Sequence, residues 1–252
     1  MEGLARTLRS IWAICWKDVK VYYAKGPILV MGVLFPFFLW MAFQIGKGLE
    51  VREGITPLIS ITVFFTSSAV TPIIPPWETR QRTLEMLLAR PITITRVLIG
   101  DILASMSFGL GFSLLPVLYG LILGVAPSNP ALLLASLLLA SLEFSALGVL
   151  FSALPTDVPA DVVMISSAVK LPLIFLSGTF LPLSLLPKAL RYLAFLSPLT
   201  YVTDMIRGLY GGGAYFPYAV SFLISALYTG ALVLISVKLH RVSVARRLQL
   251  TP

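Results

Sequence analysis

Residues 77–96 read WETRQRTLEMLLARPITITR, a charged stretch between two long apolar ones in a chain of 252 residues. Over the whole chain, 58% of the residues are hydrophobic, only 12% are charged, and the mean hydropathy is +0.93. This charged fraction is about half of that in soluble domains. The composition therefore indicates an all-α integral membrane protein, in which a polar segment between two spans needs an explanation.

The apolar stretches predict the number of membrane spans, because a spanning helix needs about 20 mostly apolar residues. Six stretches are long enough, at 27–46, 55–76, 97–125, 131–154, 162–183 and 216–239. We expect residues 26–240 to form a six-span transmembrane domain. Residues 1–25 precede it as an amphipathic helix, and residues 241–252 follow it as a basic cytoplasmic tail.

The first 25 residues carry apolar side chains at helical spacing. These are Leu4, Leu8, Ile11, Trp12, Cys15, Val19 and Tyr22. The opposite side carries Arg6, Arg9, Lys17 and Lys20. Such a pattern predicts an interfacial helix whose basic face meets lipid phosphates. The alternative is a helix that packs on another protein domain, and both interpretations can hold at once.

The distribution of Lys and Arg predicts the orientation. With both termini in the cytoplasm, the inner segments contain 13 of these residues and the outer segments contain five. The positive-inside rule favours this topology, which also places 77–96 in the cytoplasm. It accounts for the net charge of +8 without a nucleic-acid partner. One cysteine and one histidine in the chain exclude an internal disulfide and disfavour a metal site.

The charged segment itself has the pattern of a helix. Its apolar side chains share one stripe, formed by Trp77, Leu84, Leu87 and Leu88. Glu78 and Arg82 are four residues apart, and Arg82 and Glu85 are three apart, so ion pairs can support a helix. Pro91 ends it. We predict one rigid helix over 77–90, and its apolar stripe needs a surface to lie against.

Two blocks of the sequence resemble one family. ETRQRTLEMLLARP (78–91), followed by LIG (98–100), resembles the cytoplasmic motif of ATP-binding-cassette type 2 export permeases, roughly E-x-x-x-G-T-L-E-x-L-L-x-x-P and then L-x-G-K. FLSGTFLP (175–182), LP (186–187) and SPLTYVTDMIR (197–207) resemble a second motif, nearest the drug-exporter branch. Arg82 stands where the family has glycine, and Asp101 stands where it has lysine.

The resemblance implies a permease subunit of an exporter, and the small number of charges in the spans favours an amphipathic or lipid-like substrate. No G-x-x-x-x-G-K-[ST] phosphate loop occurs in the sequence, so we expect ATP and Mg to bind a separate ATP-binding-cassette ATPase, with no cofactor in this chain and no enzymatic activity of its own. The resemblance also implies a homodimer, or a heterodimer with a related permease, in a prokaryotic cytoplasmic membrane.

In that setting residues 77–90 are the coupling helix that docks into the ATPase. The expected coupling residues are Glu78, Arg82, Leu84, Glu85, Leu87 and Leu88. Arg82 is expected to meet an acidic group on the ATPase. Residues 184–211 are implied to form an outer re-entrant helical hairpin, in which Asp204 and Arg207 are three residues apart and are expected to pair.

Polar side chains inside the predicted spans need partners or roles, because a charge at mid-bilayer costs at least about 2.5–3.5 kcal/mol. Glu143 and Lys170 lie at similar depth on neighbouring spans, and we expect them to form a pair that fixes the packing. A proton relay or a substrate ligand is the functional alternative. It would make the chain a stand-alone ion-coupled secondary transporter.

Two spans also carry rows of hydroxyl groups. The candidates for lining a translocation path are Thr56, Ser60, Ser67 and Thr71 in the second span, and Ser166, Ser167 and Ser177 in the fifth. Such rows either hold helices together or face a path. The family resemblance places both spans near the dimer axis, which leaves the lining role open.

Overall fold

The computed structural model describes residues 2–23, 30, 34–47, 51–89, 92–154, 156 and 158–250. Throughout these residues the regular structure is helical, which confirms the all-α fold. The helices are α1 (Glu2–Asp18), α2 (Phe35–Lys47), α3 (Val51–Ser68), α4 (Ile74–Arg80), α5 (Thr83–Leu88), α6 (Ile94–Ile122), α7 (Pro130–Phe151), α8 (Pro159–Leu176), α9 (Lys188–Ala194), α10 (Pro198–Leu209) and α11 (Tyr218–Leu250). A π-helical turn, Val19–Tyr23, continues α1.

Four described helices, α6, α7, α8 and α11, are long and apolar enough to cross a membrane by length and composition. Their positions agree with the last four predicted spans, except that α8 ends at Leu176, before the predicted end of the fifth span at residue 183. The second predicted span, 55–76, is wrong in its boundary, because α3 ends at Ser68 and residues 69–73 form a turn before α4. The first, 27–46, lies partly outside the described residues. Six spans therefore stay a prediction.

The core of the molecule lies where α3 packs between α6 and α7. Glycines in the partner helices make this packing close. A Cβ atom added to Gly109 of α6 would lie 1.7 Å from Oγ of Ser67, and one added to Gly148 of α7 would lie 2.1 Å from Oγ1 of Thr71. The backbones can therefore approach only because these two positions lack a side chain.

This packing corrects the prediction for the second span. Thr56, Ser60, Ser67 and Thr71 are all buried, with no more than 3% of each residue exposed. Because α3 is central, its polar row faces neighbouring helices of the same chain rather than an open path. The row therefore belongs to helix packing in this structure, one of the two alternatives that the sequence left open.

Helix α8 is, together with α11, the least covered of the four long helices. Ser166 and Ser177 are buried, and their hydroxyls donate to backbone carbonyls of their own helix, whereas Ser167 is exposed. Its exposed apolar side chains are Val163, Met164, Ile165, Val169, Leu171 and Phe175. Of the three hydroxyls predicted in this span, only that of Ser167 still fits a lining role.

The apolar face that the sequence predicts for α1 is only partly buried against the rest of the chain. Cys15 is buried against the rest of the chain, whereas Leu8 and Trp12 are 58% and 66% exposed. The close contact is made by Ile14, whose Cγ2 would lie 2.6 Å from a Cβ at Gly100 of α6. The helix thus packs on the protein with one side. The lipid-facing role of the other side stays a prediction.

Candidate functional site

The segment between α3 and α6 contains two short helices where one was predicted. Helix α4 begins with Pro75 and Pro76, whose fixed φ angles suit the first helical turn. The hydroxyl of Thr79 donates to the carbonyl of Pro75 at 2.8 Å. Helix α4 ends at Arg80, and α5 begins at Thr83.

The break occurs at Arg82, whose backbone has φ 58° and ψ 14°. A residue in this left-handed conformation cannot continue a right-handed helix, so the prediction of one rigid helix over 77–90 is wrong. The hydroxyl of Thr83 donates to the carbonyl of Glu78 at 3.2 Å and joins the two helices across the break. The expected end at Pro91 lies outside the described residues.

The left-handed backbone also explains the family glycine to which Arg82 corresponds. Glycine adopts positive φ without the steric cost that a Cβ atom adds, about 1–2 kcal/mol. Arg82 is the only residue other than glycine with positive φ among those that the structure describes. The backbone therefore turns at position 82, and this requirement does not depend on what the Arg82 side chain contacts on another subunit.

The two short helices turn different residues inward than predicted. Leu84 is 7% exposed and packs with Ile14 of α1 and Val97 of α6. Trp77 and Met86 are 43% and 63% exposed. Of the remaining predicted coupling residues, Leu87 and Leu88 are half-buried, and Arg82 and Glu85 are exposed. The predicted apolar stripe is thus split between the inner and outer sides of the segment.

Glu78 lies on the inner side and does not pair with Arg82 as predicted. Its Oε1 accepts a hydrogen bond from Nζ of Lys17 in α1. The same Nζ lies 2.9 Å from Oδ1 of Asp18. Asp18 and Asp101 are fully buried, and Glu78 is 2% exposed. We call Lys17, Asp18, Glu78 and Asp101 the buried charge cluster.

The buried charge cluster has three carboxyl groups and one ammonium group. Burial works to lower the pKa of Lys17, but Asp18, Glu78 and Asp101 outweigh it and raise that pKa, so the ammonium stays charged. Burial raises the pKa of Glu78, and Lys17 opposes only part of this effect. The charge of Glu78 therefore depends on Lys17.

The buried charge cluster joins three parts of the chain, α1, α4 and the first turns of α6. Sequence reasoning missed Lys17 and Asp18 as site residues and noted Asp101 only as a departure from the family lysine. The Lys17 ammonium of α1 interacts electrostatically with the Asp101 carboxyl, although it forms its ion pairs with Asp18 and Glu78. The available signal was Asp18, an acid at the edge of the apolar face of a basic helix.

The predicted pair between Glu143 and Lys170 is absent. Oε2 of Glu143 accepts a hydrogen bond from the hydroxyl of Ser225 in α11. Nζ of Lys170 donates to the carbonyl of Ser68, at the C-terminal end of α3. The two charged residues stay apart because α7 directs Glu143 towards α11 and α8 directs Lys170 towards α3. A helix C-terminus favours a cation, so Lys170 has a local partner.

The second predicted pair, between Asp204 and Arg207, is also wrong. The Asp204 carboxylate accepts three hydrogen bonds from the start of α11 and the loop before it. Their donors are Tyr215 N at 2.7 Å, Phe216 N at 3.0 Å and Ser221 Oγ at 3.1 Å. Arg207 donates instead to the carbonyls of Gly178 and Thr179. The two predicted short helices of 184–211 are present as α9 and α10, whereas their re-entry from outside stays a prediction.

Comparison with protein families gives a match over residues 9–210, to the model described as ABC-2 type transporter. The chain belongs to the ABC-2 type transporter family. The matched range begins in α1, contains the α4–α5 segment and ends just after α10, so it includes the whole buried charge cluster. A search among curated proteins found no match.

The family assigns the chain its general role. It is a multi-pass membrane protein and a permease component of an ABC transporter, and its membrane domain is not a nucleotide-binding domain. Permeases of this family normally pair with an ATP-binding-cassette subunit. The expectation of the drug-exporter branch stays a prediction.

Proposed function

We propose that this permease works in an ATP-driven exporter, and that a separate ATP-binding-cassette ATPase, which holds ATP and Mg, docks on the α4–α5 segment. The observation that supports this proposal is the two-sided nature of the segment. Glu78 and Leu84 fix its inner side to α1 and α6, whereas Trp77 and Met86 stand exposed on its outer side. Exposed large side chains on a short helix are suited to fill a groove on a partner.

The same contacts give a route by which ATPase movement reaches the membrane helices. A displacement of α4 acts on α1 through the ion pair of Glu78 with Lys17. A displacement of α5 acts on α6 through the packing of Leu84 against Val97. Both contacts are at least partly shielded from water. Salt therefore screens the ion pair only weakly. Arg82 is exposed beside the break and is available to an acidic group of the ATPase.

The remaining expectations belong to the same proposal. The functional unit is a dimer of permeases, and the exposed apolar face of α8 offers a surface for lipid or a second copy. Both termini are cytoplasmic, in a prokaryotic membrane, and the cargo is amphipathic or lipid-like because the spans contain few charges. The alternative of an ion-coupled secondary transporter is not favoured, because the family match is to a component of an ABC transporter.

The decisive experiment is co-purification with a candidate ATP-binding-cassette ATPase from the same organism, followed by ATP-dependent transport in vesicles. Met86→Asp changes a residue that is 63% exposed, so the permease should fold normally but lose ATPase binding. An interface hot spot contributes about 2 kcal/mol or more, roughly thirty-fold in affinity. Val242→Asp, at an exposed position of α11, is the matched control.

Leu84→Asp is a test of folding rather than of docking. Because Leu84 is buried against α1 and α6, this variant should destabilise the permease itself, and its loss of transport would not identify a docking surface. The proposal is wrong if Met86→Asp binds the ATPase and transports at the level of Val242→Asp.

A further inference from the structure

A cavity of about 200 Å³ lies between the outer helices and the loop before α11. Its walls include Ser184, Asp204, Arg207 and Ala214. The loop after α6 is joined to the end of α10 by a hydrogen bond of 2.7 Å from Ser128 N to the carbonyl of Leu209. The cavity is therefore at the opposite end of α6 from the α4–α5 segment, far from the proposed ATPase surface.

Arg207 has donor groups without acceptors in this cavity. Arg207 is only 7% exposed, and its guanidinium group has five N–H bonds. Both of its hydrogen bonds, at 2.7 Å to the carbonyl of Gly178 and 3.3 Å to that of Thr179, come from Nη2. Nε and Nη1 donate to no acceptor among the described residues. Neither nitrogen is sealed from solvent, so both donors are open to the cavity, where the oxygen of a ligand can take the place of water.

Asp204 also lies in the cavity wall, but it does not accept hydrogen bonds from Arg207. Its two oxygens already accept three hydrogen bonds from Tyr215, Phe216 and Ser221. A second cation, Arg191, lies behind the cavity wall, where it contacts two of the lining residues. The guanidinium of Arg191 lies 5.7 Å from the centroid of the Tyr215 ring. Its Nη2 donates to the carbonyl of Ser184 at 2.9 Å.

The surrounding sequence has the charge of an anion site. Residues 189–217 contain Arg191 and Arg207 but only one acid, Asp204. In the proposed topology this segment is outside, where Lys and Arg are normally scarce. These cations therefore oppose the topological preference, and a local function explains why they are present.

We propose that this cavity binds a single phosphate group, carried by a lipid head group or free in solution. The planar fork of an arginine matches two oxygens of a phosphate. The exposed Ser184 adds a hydroxyl donor, and the nearby Arg191 adds positive charge. A volume of about 200 Å³ is smaller than drug-sized sites, which begin near 300 Å³, so the cavity suits a small ionic group.

The test uses the purified full-length permease in detergent, without ATP. Native mass spectrometry measures binding of phosphatidylglycerol and of diacylglycerol with the same acyl chains, and calorimetry measures inorganic phosphate. Arg207→Gln should weaken phosphatidylglycerol binding roughly ten- to a hundred-fold, the range for hydrogen bonds to a charged group. Diacylglycerol binding should not change, because it lacks the phosphate.

Two further variants keep the test independent of folding. Ala214→Phe fills the cavity from an exposed position and leaves every charge in place, so it should lose phosphatidylglycerol as Arg207→Gln does. Lys188→Gln removes an exposed cation of α9 outside the cavity wall and is the matched control, with an expected change of less than about three-fold.

The outcomes separate the sources of the phosphate. Binding of both probes supports a general phosphate site, and binding of phosphatidylglycerol alone supports a lipid head group. The proposal is overturned if Ala214→Phe binds phosphatidylglycerol as tightly as the unmodified chain, or if Lys188→Gln loses as much affinity as Arg207→Gln. Because no ATPase takes part, failure here leaves the proposed function untouched, and the reverse also holds.

Discussion

Replacing Lys17 with methionine removes the ammonium group from the buried charge cluster and keeps an unbranched side chain. Glu78 and Asp18 then lose their ion-pair partner, and at 2% and 0% exposed they cannot turn to water instead. The result should be a less stable permease, and this loss of stability should grow as the pH rises. Transport should fall with it, because α1 and α4 lose their connection.

The cost has an upper limit, since a buried carboxylate without its cation takes up a proton. From the ordinary pKa of 4.5 for Glu78, protonation at neutral pH costs about 3 kcal/mol. Breaking a buried ion pair costs about 3–5 kcal/mol. The Lys17 side chain is 29% exposed, which places the cost at the low end. We expect the free energy of unfolding to fall by about 3 kcal/mol at neutral pH.

The sign of the pH dependence follows from the raised pKa of Glu78. A folded state whose carboxyl pKa lies above the unfolded value binds protons more tightly, so stability falls as the pH rises from 4.5 towards the raised pKa. Removing Lys17 raises that pKa further. The deficit should be small at about pH 5 and grow by at most about 1.4 kcal/mol per pH unit.

Thermal unfolding of the purified permease between about pH 5 and pH 8 measures this deficit. At neutral pH a loss of about 3 kcal/mol corresponds to roughly 6–12 °C for a chain of this size. Lys20→Met is the control, because Lys20 is exposed and its Nζ lies 5.0 Å from the centroid of the Trp16 ring. Adding Glu78→Gln to Lys17→Met should restore part of the stability.

Two results would refute this reasoning about the buried charge cluster. One is a melting temperature of Lys17→Met that follows Lys20→Met at every pH. The other is a deficit that is larger at about pH 5 than at pH 8, which would reverse the sign expected from a raised carboxyl pKa.

Three further predictions concern single residues. Arg82→Gly should raise the free energy of unfolding by roughly 0.5–1 kcal/mol, because it relieves a left-handed backbone, and a melting temperature no higher than that of the unmodified chain would contradict it. Glu143→Gln and Lys170→Met should have additive effects on thermal stability, within about 0.5 kcal/mol, and a clearly larger coupling energy would restore the predicted pair. Asp204→Asn should lower the free energy of unfolding in urea by about 1–3 kcal/mol, because an amide oxygen accepts more weakly than a carboxylate, whereas no loss would mean that these hydrogen bonds do not stabilise the fold.

The sequence predicted those features of the fold that depend on long stretches of similar residues. The positions of the last four spans follow from apolar runs, and the two short outer helices follow from prolines at 187 and 198. The family was identified from two sequence motifs that occur in the same order as in the family. These signals are local in the chain, so they do not depend on which helices pack together.

The predicted contacts failed where a side chain had a choice of neighbours. Glu78 could reach Arg82 along a helix, but the break at Arg82 removes that geometry, and Lys17 lies 61 residues away in sequence. Glu143 and Lys170 have similar depth, yet depth does not fix the direction in which a helix presents a side chain. Rotation of each helix about its axis is set by packing, to which near-uniformly apolar spans give few sequence clues.

The position of Lys17 has a practical consequence for expression and purification. Shortening a membrane protein at its amino end is a common remedy for poor yield, since leading residues are often regarded as dispensable. Here the loss of α1 would leave the carboxyl group of Glu78 without its cation and would uncover Gly100, where Ile14 now packs. A truncated chain should therefore misfold at the α4–α5 segment first, and affinity tags belong at the other end.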